Sequence, residues 1–213
     1  MKQILINTKR FKNFIALQSE NSNKPFLNHM KECMSIELNK NDVVVDIGAY
    51  IGEYSIYAIN QQVKKVISYE ATPLTFEILK KNKRGNMLIK NLAVVGNNNK
   101  GKINLHISNG IGVTNSIVKS NRKSHFIEVN TIKYEDAIKE ATVVKIDVEG
   151  AEYDYNIIQD NLRAIILEFH PITGTDWRKK AKEIIKKINN AGFKTIIEPT
   201  FKTGWNLTGS FLR

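Results

Sequence analysis

A single cysteine, Cys33, stands in a chain of 213 residues, which excludes an internal disulfide framework and leaves the compartment open on that count. Long apolar runs are missing as well, and no stretch approaches the ~20 residues that a membrane-spanning helix needs. Residues 1 to 17 scatter Lys2, Lys9, Arg10 and Lys12 among short apolar pairs, without the continuous apolar core of a secretory leader. The expectation is a cytoplasmic protein with no membrane span. Internal repeats and low-complexity linkers are absent, and the short run Asn97 to Asn99 reads as a turn. Arginine is sparse beside lysine. The net charge of +11 invites a polyanionic partner, yet specific phosphate and base recognition leans on arginine forks. A composition heavy in Lys, Asn and Ile is also what an AT-rich genome encodes. Nucleic acid is therefore the alternative partner and a small molecule the leading one. Nothing in the sequence fixes an oligomeric state.

The length suits one well-cored domain. Residues 1–40 read as a lead-in and substrate lid, with a helix near 25–36, ahead of a main domain over 41–213. Strands are expected at 42–47, 64–69 and 87–91, separated by helical patterns at 53–61 and 73–84, where Pro73 suits a first helical position. A small β insertion over about 97–132 follows. Its segments KINLHI (102–107), NSIVKS (115–120) and FIEVNTI (126–132) alternate as short antiparallel strands do. Helix 134–140, strand 142–147, helix 151–160, strand 163–169, helix 176–191 and strand 193–198 then alternate, before a last strand near 206–212. Strands alternating with helices give an α/β fold, a mostly parallel sheet covered on both faces. The last two strands are too close for a helical crossover and should form an antiparallel C-terminal hairpin.

VVVDIGAYIGEYSIYAI, residues 43–59, reads as buried strand, tight glycine loop and helix, the cofactor-cradling unit of a parallel sheet. Gly48 and Gly52 lie four apart, so the dinucleotide fingerprint G-x-G-x-x-G is absent. Asp46, two residues before the first glycine, would repel a pyrophosphate but suits a cofactor carrying an ammonium and a sulfonium. That chemistry points to S-adenosylmethionine. Ligands of open α/β sheets bind at the carboxyl ends of the strands, and Asp46, Glu70, Asp147 and Glu168 all fall there. An acid after the second strand, here Glu70 with Ala71 beside it, suits two ribose hydroxyls. Asn91 and Ala93, after the third strand, fall where an adenine edge would lie, although Asn91 also reads as a turn residue. In VVKIDVEGAEYD (143–154), Lys145 must snorkel or pair. Glu149 and Glu152 read as acids favoured by a helix N-terminus.

These segments resemble the FkbM family of S-adenosylmethionine-dependent methyltransferases. DIGAYIGEYS, YEATP and above all KIDVEGAE carry the resemblance, with NLAVVG (91–96), VTNSIV (113–118) and ILEFHP (166–171) between and after them. It covers about residues 40–170. It implies a Rossmann-like class I methyltransferase fold with a seven-stranded sheet, and mostly O-methylation of sugars, polyketides and related small molecules. By similarity Asp46, Gly48, Ala49, Tyr50, Gly52 and Ser55 belong to the methionine-side loop, Glu70 binds the ribose, and Asp147 lies beside the transferred methyl. Tyr50 departs from the family, standing where the loop often carries Asn.

Methyl transfer to an alcohol needs alignment, exclusion of water and removal of a proton. His170, Asp147 and Glu168 are the candidates for the last task, His170 by its natural pKa and its place after strand 163–169. The same three offer hard oxygens and an imidazole to a divalent cation, but the set is too sparse to assign a metal. The acceptor pocket is expected from residues 1–40, the 92–132 segment and the loop after His170. Rival readings are an RNA methyltransferase and a cofactor-binding module without catalysis.

Overall fold

The computed structural model describes residues 2–7, 12–18, 25–26, 32–96, 101–108, 116, 124–197, 199 and 207–213. The chain opens with a small antiparallel sheet of β1 (Lys2–Ile6), β2 (Phe14–Gln18) and β3 (Pro25–Phe26). A 3-10 turn follows at Glu32–Ser35. The helix expected near 25–36 is thus replaced by a strand at its start and a single turn near its end, while residues 27–31 lie outside the described residues.

The main domain alternates as its sequence pattern requires. β4 (Val43–Ile47), α1 (Glu53–Asn60), β5 (Lys65–Tyr69), α2 (Pro73–Asn82) and β6 (Met87–Lys90) form the first half. After an insertion come α3 (Tyr134–Ala137), β10 (Val143–Ile146), β11 (Ala164–Phe169), α4 (Trp177–Asn190), β12 (Lys194–Ile197) and β13 (Leu207–Leu212). Seven strands pair in the order β12-β13-β11-β10-β4-β5-β6. β13 runs antiparallel to both its neighbours, while β11, β10, β4, β5 and β6 are parallel. This is the mostly parallel sheet that the alternation implied, in the Rossmann-like architecture that the resemblance implied.

Period-two burial divides the core. Val45, Ile47, Tyr69, Val144, Ile146 and Leu167 face α3 and α4. Val44, Val66, Val143 and Ile166 face α1, α2 and the N-terminal sheet. α2 starts on Pro73 and buries Thr75, Ile78, Leu79 and Asn82, the spacing of one helical face. Asn82 at its end then ties three segments together, donating to Ile15 O and Ile51 O and accepting from Ile15 N. α4 is capped by Asp176, which accepts from Lys179 N, and buries Trp177, Ala181, Ile185 and Ile188 while its lysines face outward.

The insertion holds β7 (Ala93–Val95), β8 (Lys102–Ser108) and β9 (Ser124–Lys133). β8 pairs antiparallel with β9, but β7 pairs parallel with it, so the small sheet is mixed where antiparallel strands were expected. Of NSIVKS only Ser116 is described, and it bridges His106; residues 97–100 also lie outside the described residues. The helix expected over 151–160 shrinks to one 3-10 turn, Ala151–Asp154. Tyr155 leaves the helical path to stack on Tyr134 at 4.7 Å and donate to Val94 O, and Tyr134 donates in turn to Ile157 O. These contacts, unlike a continued helix, fasten the insertion to the domain.

Candidate active site

The loop after β4 turns sharply because three of its residues adopt left-handed backbone: Gly48 (φ 76), Tyr50 (φ 52) and Gly52 (φ 96). A Cβ at Gly48 would lie 1.8 Å from Asp147 O, so only glycine lets this loop touch the end of β10. The amides of Gly48 and Ala49 both donate to Tyr69 O, closing the loop over β5. The left-handed Tyr50 is the position at which Asn, which tolerates that conformation, is the commoner choice.

Beneath the loop lies a buried polar row. Register places Lys145, Asp46 and Ser68 side by side across β10, β4 and β5. Ser55 donates to Asp46 Oδ2 at 2.6 Å and lies 2.7 Å from Ser68 Oγ. Lys145 Nζ donates to Gly48 O at 3.0 Å and stands 3.4 Å from Asp46 and 3.2 Å from Asp147. Burial would strip the Lys145 proton, but Asp147 and Asp46 outweigh it and hold the ammonium well above its ordinary range. Lys145 therefore pairs rather than snorkels. Asp46 and Ser55 have no exposed surface, so both shape the loop from below.

Glu70 sits differently. Its carboxylate accepts from Tyr50 N, Thr72 N and Thr75 Oγ1, each at 2.8 Å, and it keeps 7% of its surface where Asp46 keeps none. Burial raises its carboxyl pKa, and those donors offset part of the rise. Asn91 donates to Glu70 O and Ala71 O, which holds Ala71 and Asn91 at the same edge. Ala93 belongs to β7 and is buried in the small sheet.

The other half of the edge gathers acids around His170. Its Nε2 lies 3.5 Å from Asp147, 3.6 Å from Glu149 and 3.7 Å from Glu168, and its Nδ1 lies 3.3 Å from Glu152. Glu152 is itself fixed by the amides of Gly150 and His170. Burial would lower the His170 pKa, but the hydrogen bond and charge of Glu152, with Glu149 and Asp147, push it up to about 10. That shift favours the protonated form of the imidazole expected as a base. Glu149 is pushed up to about 7 by burial and by Asp147 and Glu168, against the pull of His170. Ser116 donates to Glu149 O at 2.6 Å, which brings this residue of the insertion to the cluster. The lead-in contributes Cys33, buried beside the same acids, its thiol pushed up to about 12 by burial.

Every strand-end acid named from the sequence therefore lies on one edge, Asp46 and Glu70 at the loop and Asp147 and Glu168 at the cluster. Glu149, Glu152, Ser116 and Cys33 were not assigned to a site. The left-handed Glu149 (φ 54), followed by Gly150 (φ 108), turns that acid toward His170, and only the Glu-Gly pair hinted at it.

No curated protein matches the sequence. Among solved structures, precorrin-6y C5,15-methyltransferase from Geobacter metallireducens GS-15 shares 11% identity over 85% of this chain and 86% of its own, with a TM-score of 0.50. TrmK of M. capricolum, solved in complex with S-adenosyl-homocysteine, shares 11% identity over 87% of this chain and 68% of its own, also at 0.50. Both likenesses are of fold. Residues 46–195 match the model of the methyltransferase FkbM domain, from the acid beneath the loop to the first residues of β12. The chain belongs to the FkbM family of S-adenosylmethionine-dependent methyltransferases.

Proposed function

We propose that the protein methylates a hydroxyl oxygen on a sugar, glycan or other small molecule. The observation that carries this reading is the cluster of Asp147, Glu149 and Glu168, partly open carboxylates set against the loop through the contact of Gly48 with Asp147 O. The residues fit the methyl donor. The loop admits no side chain at Gly48, Asp46 Oδ1 is buried without a hydrogen bond, and the acids around the edge complement a cofactor with excess positive charge. Residues Gly48, Ala49, Tyr50 and Gly52 with Glu70 and Ala71 would hold it, with Asn91 and Ala93 on the adenine side. Bound there, S-adenosylmethionine supplies a methyl group activated by its sulfonium.

The chain's own part is positional and electrostatic. Lys145 holds Asp147 against the loop through Gly48 O. His170, as an imidazolium, keeps three carboxylates within one small volume. Those carboxylates take the proton that an attacking hydroxyl gives up. The lead-in and insertion, which reach the cluster through Cys33 and Ser116, would close it from water.

The test is an acceptor screen with methyl-labelled S-adenosylmethionine, covering glycans, small alcohols, nucleotides and RNA in parallel. Label is expected on a hydroxyl of a small molecule or glycan, with weak salt dependence. The net charge of +11 favours RNA as the second reading. Transfer to RNA alone, falling steeply between low and moderate salt as phosphate binding does, would establish that reading instead.

A further inference from the structure

We propose that Asp147, Glu149 and His170 bind a divalent cation of the Mn2+ or Mg2+ class at the carboxyl ends of β10 and β11. The ligand atoms of Asp147, Glu149 and His170 all lie within 4.8 Å of one another. Around one ion at ~2.1 Å, such atoms stand about 3 Å apart when adjacent and about 4.2 Å apart when opposite, so a few tenths of an ångström of closure suffices.

The His170 side chain is 4% exposed, and its Nε2 has three carboxylates at 3.5, 3.6 and 3.7 Å. All three are longer than an N–H···O bond of ~2.7–3.2 Å, and none is favoured. An N–H aimed at one acceptor would approach it; donors disposed about a shared centre stand off evenly in this way. The opposite nitrogen holds the ring in place. Nδ1 faces the fully buried Glu152, whose other oxygen is fixed by Gly150 N. A carboxylate behind a histidine fixes its tautomer and ring orientation and raises its basicity, as it does in most histidine metal sites. A cation here takes the place of the Nε2 proton.

Charge points the same way. Among the described residues, Asp147 pairs with Lys145 and His170, Glu149 and Glu152 pair with His170, and Asp46 pairs with Lys145, so these four carboxylates share two cationic side chains. Two carboxylates and one imidazole suit Mn2+ and Mg2+ better than softer metals. Such an ion would also orient an acceptor hydroxyl, a consequence that rests on the O-methylation reading, whereas the binding itself does not.

Mn2+ is titrated into the full chain without cofactor or acceptor, and free Mn2+ is followed by electron paramagnetic resonance. One site is expected, displaced by excess Mg2+, with affinity lowered at least tenfold in Glu149→Gln and in His170→Gln and unchanged in the surface variant Glu140→Gln. Absence of binding below millimolar Mn2+, or equal binding in all three variants, would overturn the proposal. A failed acceptor screen leaves this result standing, and a failed titration leaves the methyl-transfer reading standing.

Discussion

The two halves of the strand-end edge treat buried charge in opposite ways. At the loop, Glu70 meets a donor from each side, Tyr50 N, Thr72 N and Thr75 Oγ1, and Asp46 is matched by Ser55 and Lys145. At the cluster, Asp147, Glu149 and Glu168 crowd one imidazole at distances too long for hydrogen bonds. The first half meets most of its buried charge with its own donors, although Asp46 Oδ1 lacks a hydrogen bond, and we propose that it forms a preorganised recognition surface. The second keeps its carboxylates partly exposed around that imidazole, and we propose that they can take a proton or share a cation. In the proposed function, one half would hold the methyl donor and the other would handle what receives the methyl.

Two substitutions probe that contrast. The largest effect is expected from Gly48→Ala, since the new Cβ meets Asp147 O at 1.8 Å with φ at 76°. Clash and left-handed strain together should cost on the order of 3 kcal/mol of stability or more, together with cofactor binding. Thermal unfolding and calorimetry check this, and a variant of unchanged stability would show that the two halves do not depend on this contact. A smaller effect belongs to Asp42, a satisfied carboxylate at the opposite end of the same strands. Burial would raise its carboxyl, but Arg163, Asn39 N and Thr142 hold it below its ordinary range. A depressed folded-state pKa contributes stability that is present above the unfolded value of ~3.9 and lost as pH falls through the folded one. Asp42→Asn should therefore lower stability near neutral pH and flatten its decline in acid, leaving cofactor affinity unchanged. Denaturant titrations at several pH values measure both.

What was legible from the sequence was mostly local. The run Val43 to Val45, the glycines at 48 and 52, and the Pro73 start of α2 each specify their element within a few residues. The N-terminal sheet was missed because its pairings, such as Lys2 with Gln18, are made across a gap in sequence and anchored by Asn82 of a distant helix. The helix after Gly150 was overestimated because acids and an alanine favour one locally, while Tyr155 is drawn away by Tyr134 and Val94. In the site, Asp46, Glu70, Asp147 and Glu168 followed from strand ends alone. Lys145 with Asp46 needed the register of β10 on β4. Glu149 needed its positive φ, and the raised pKa of His170 needed Glu152, Glu149 and Asp147 in place.

The division of labour is tested most directly by measuring S-adenosylmethionine affinity calorimetrically for Glu70→Gln and Glu149→Gln beside the wild type. Glu70→Gln removes a charged acceptor worth about 1.5–3 kcal/mol and should weaken binding by roughly ten- to a hundredfold, while Glu149→Gln should stay within about threefold of wild type. The reverse order, with Glu149→Gln losing the cofactor and Glu70→Gln keeping it, would contradict the account.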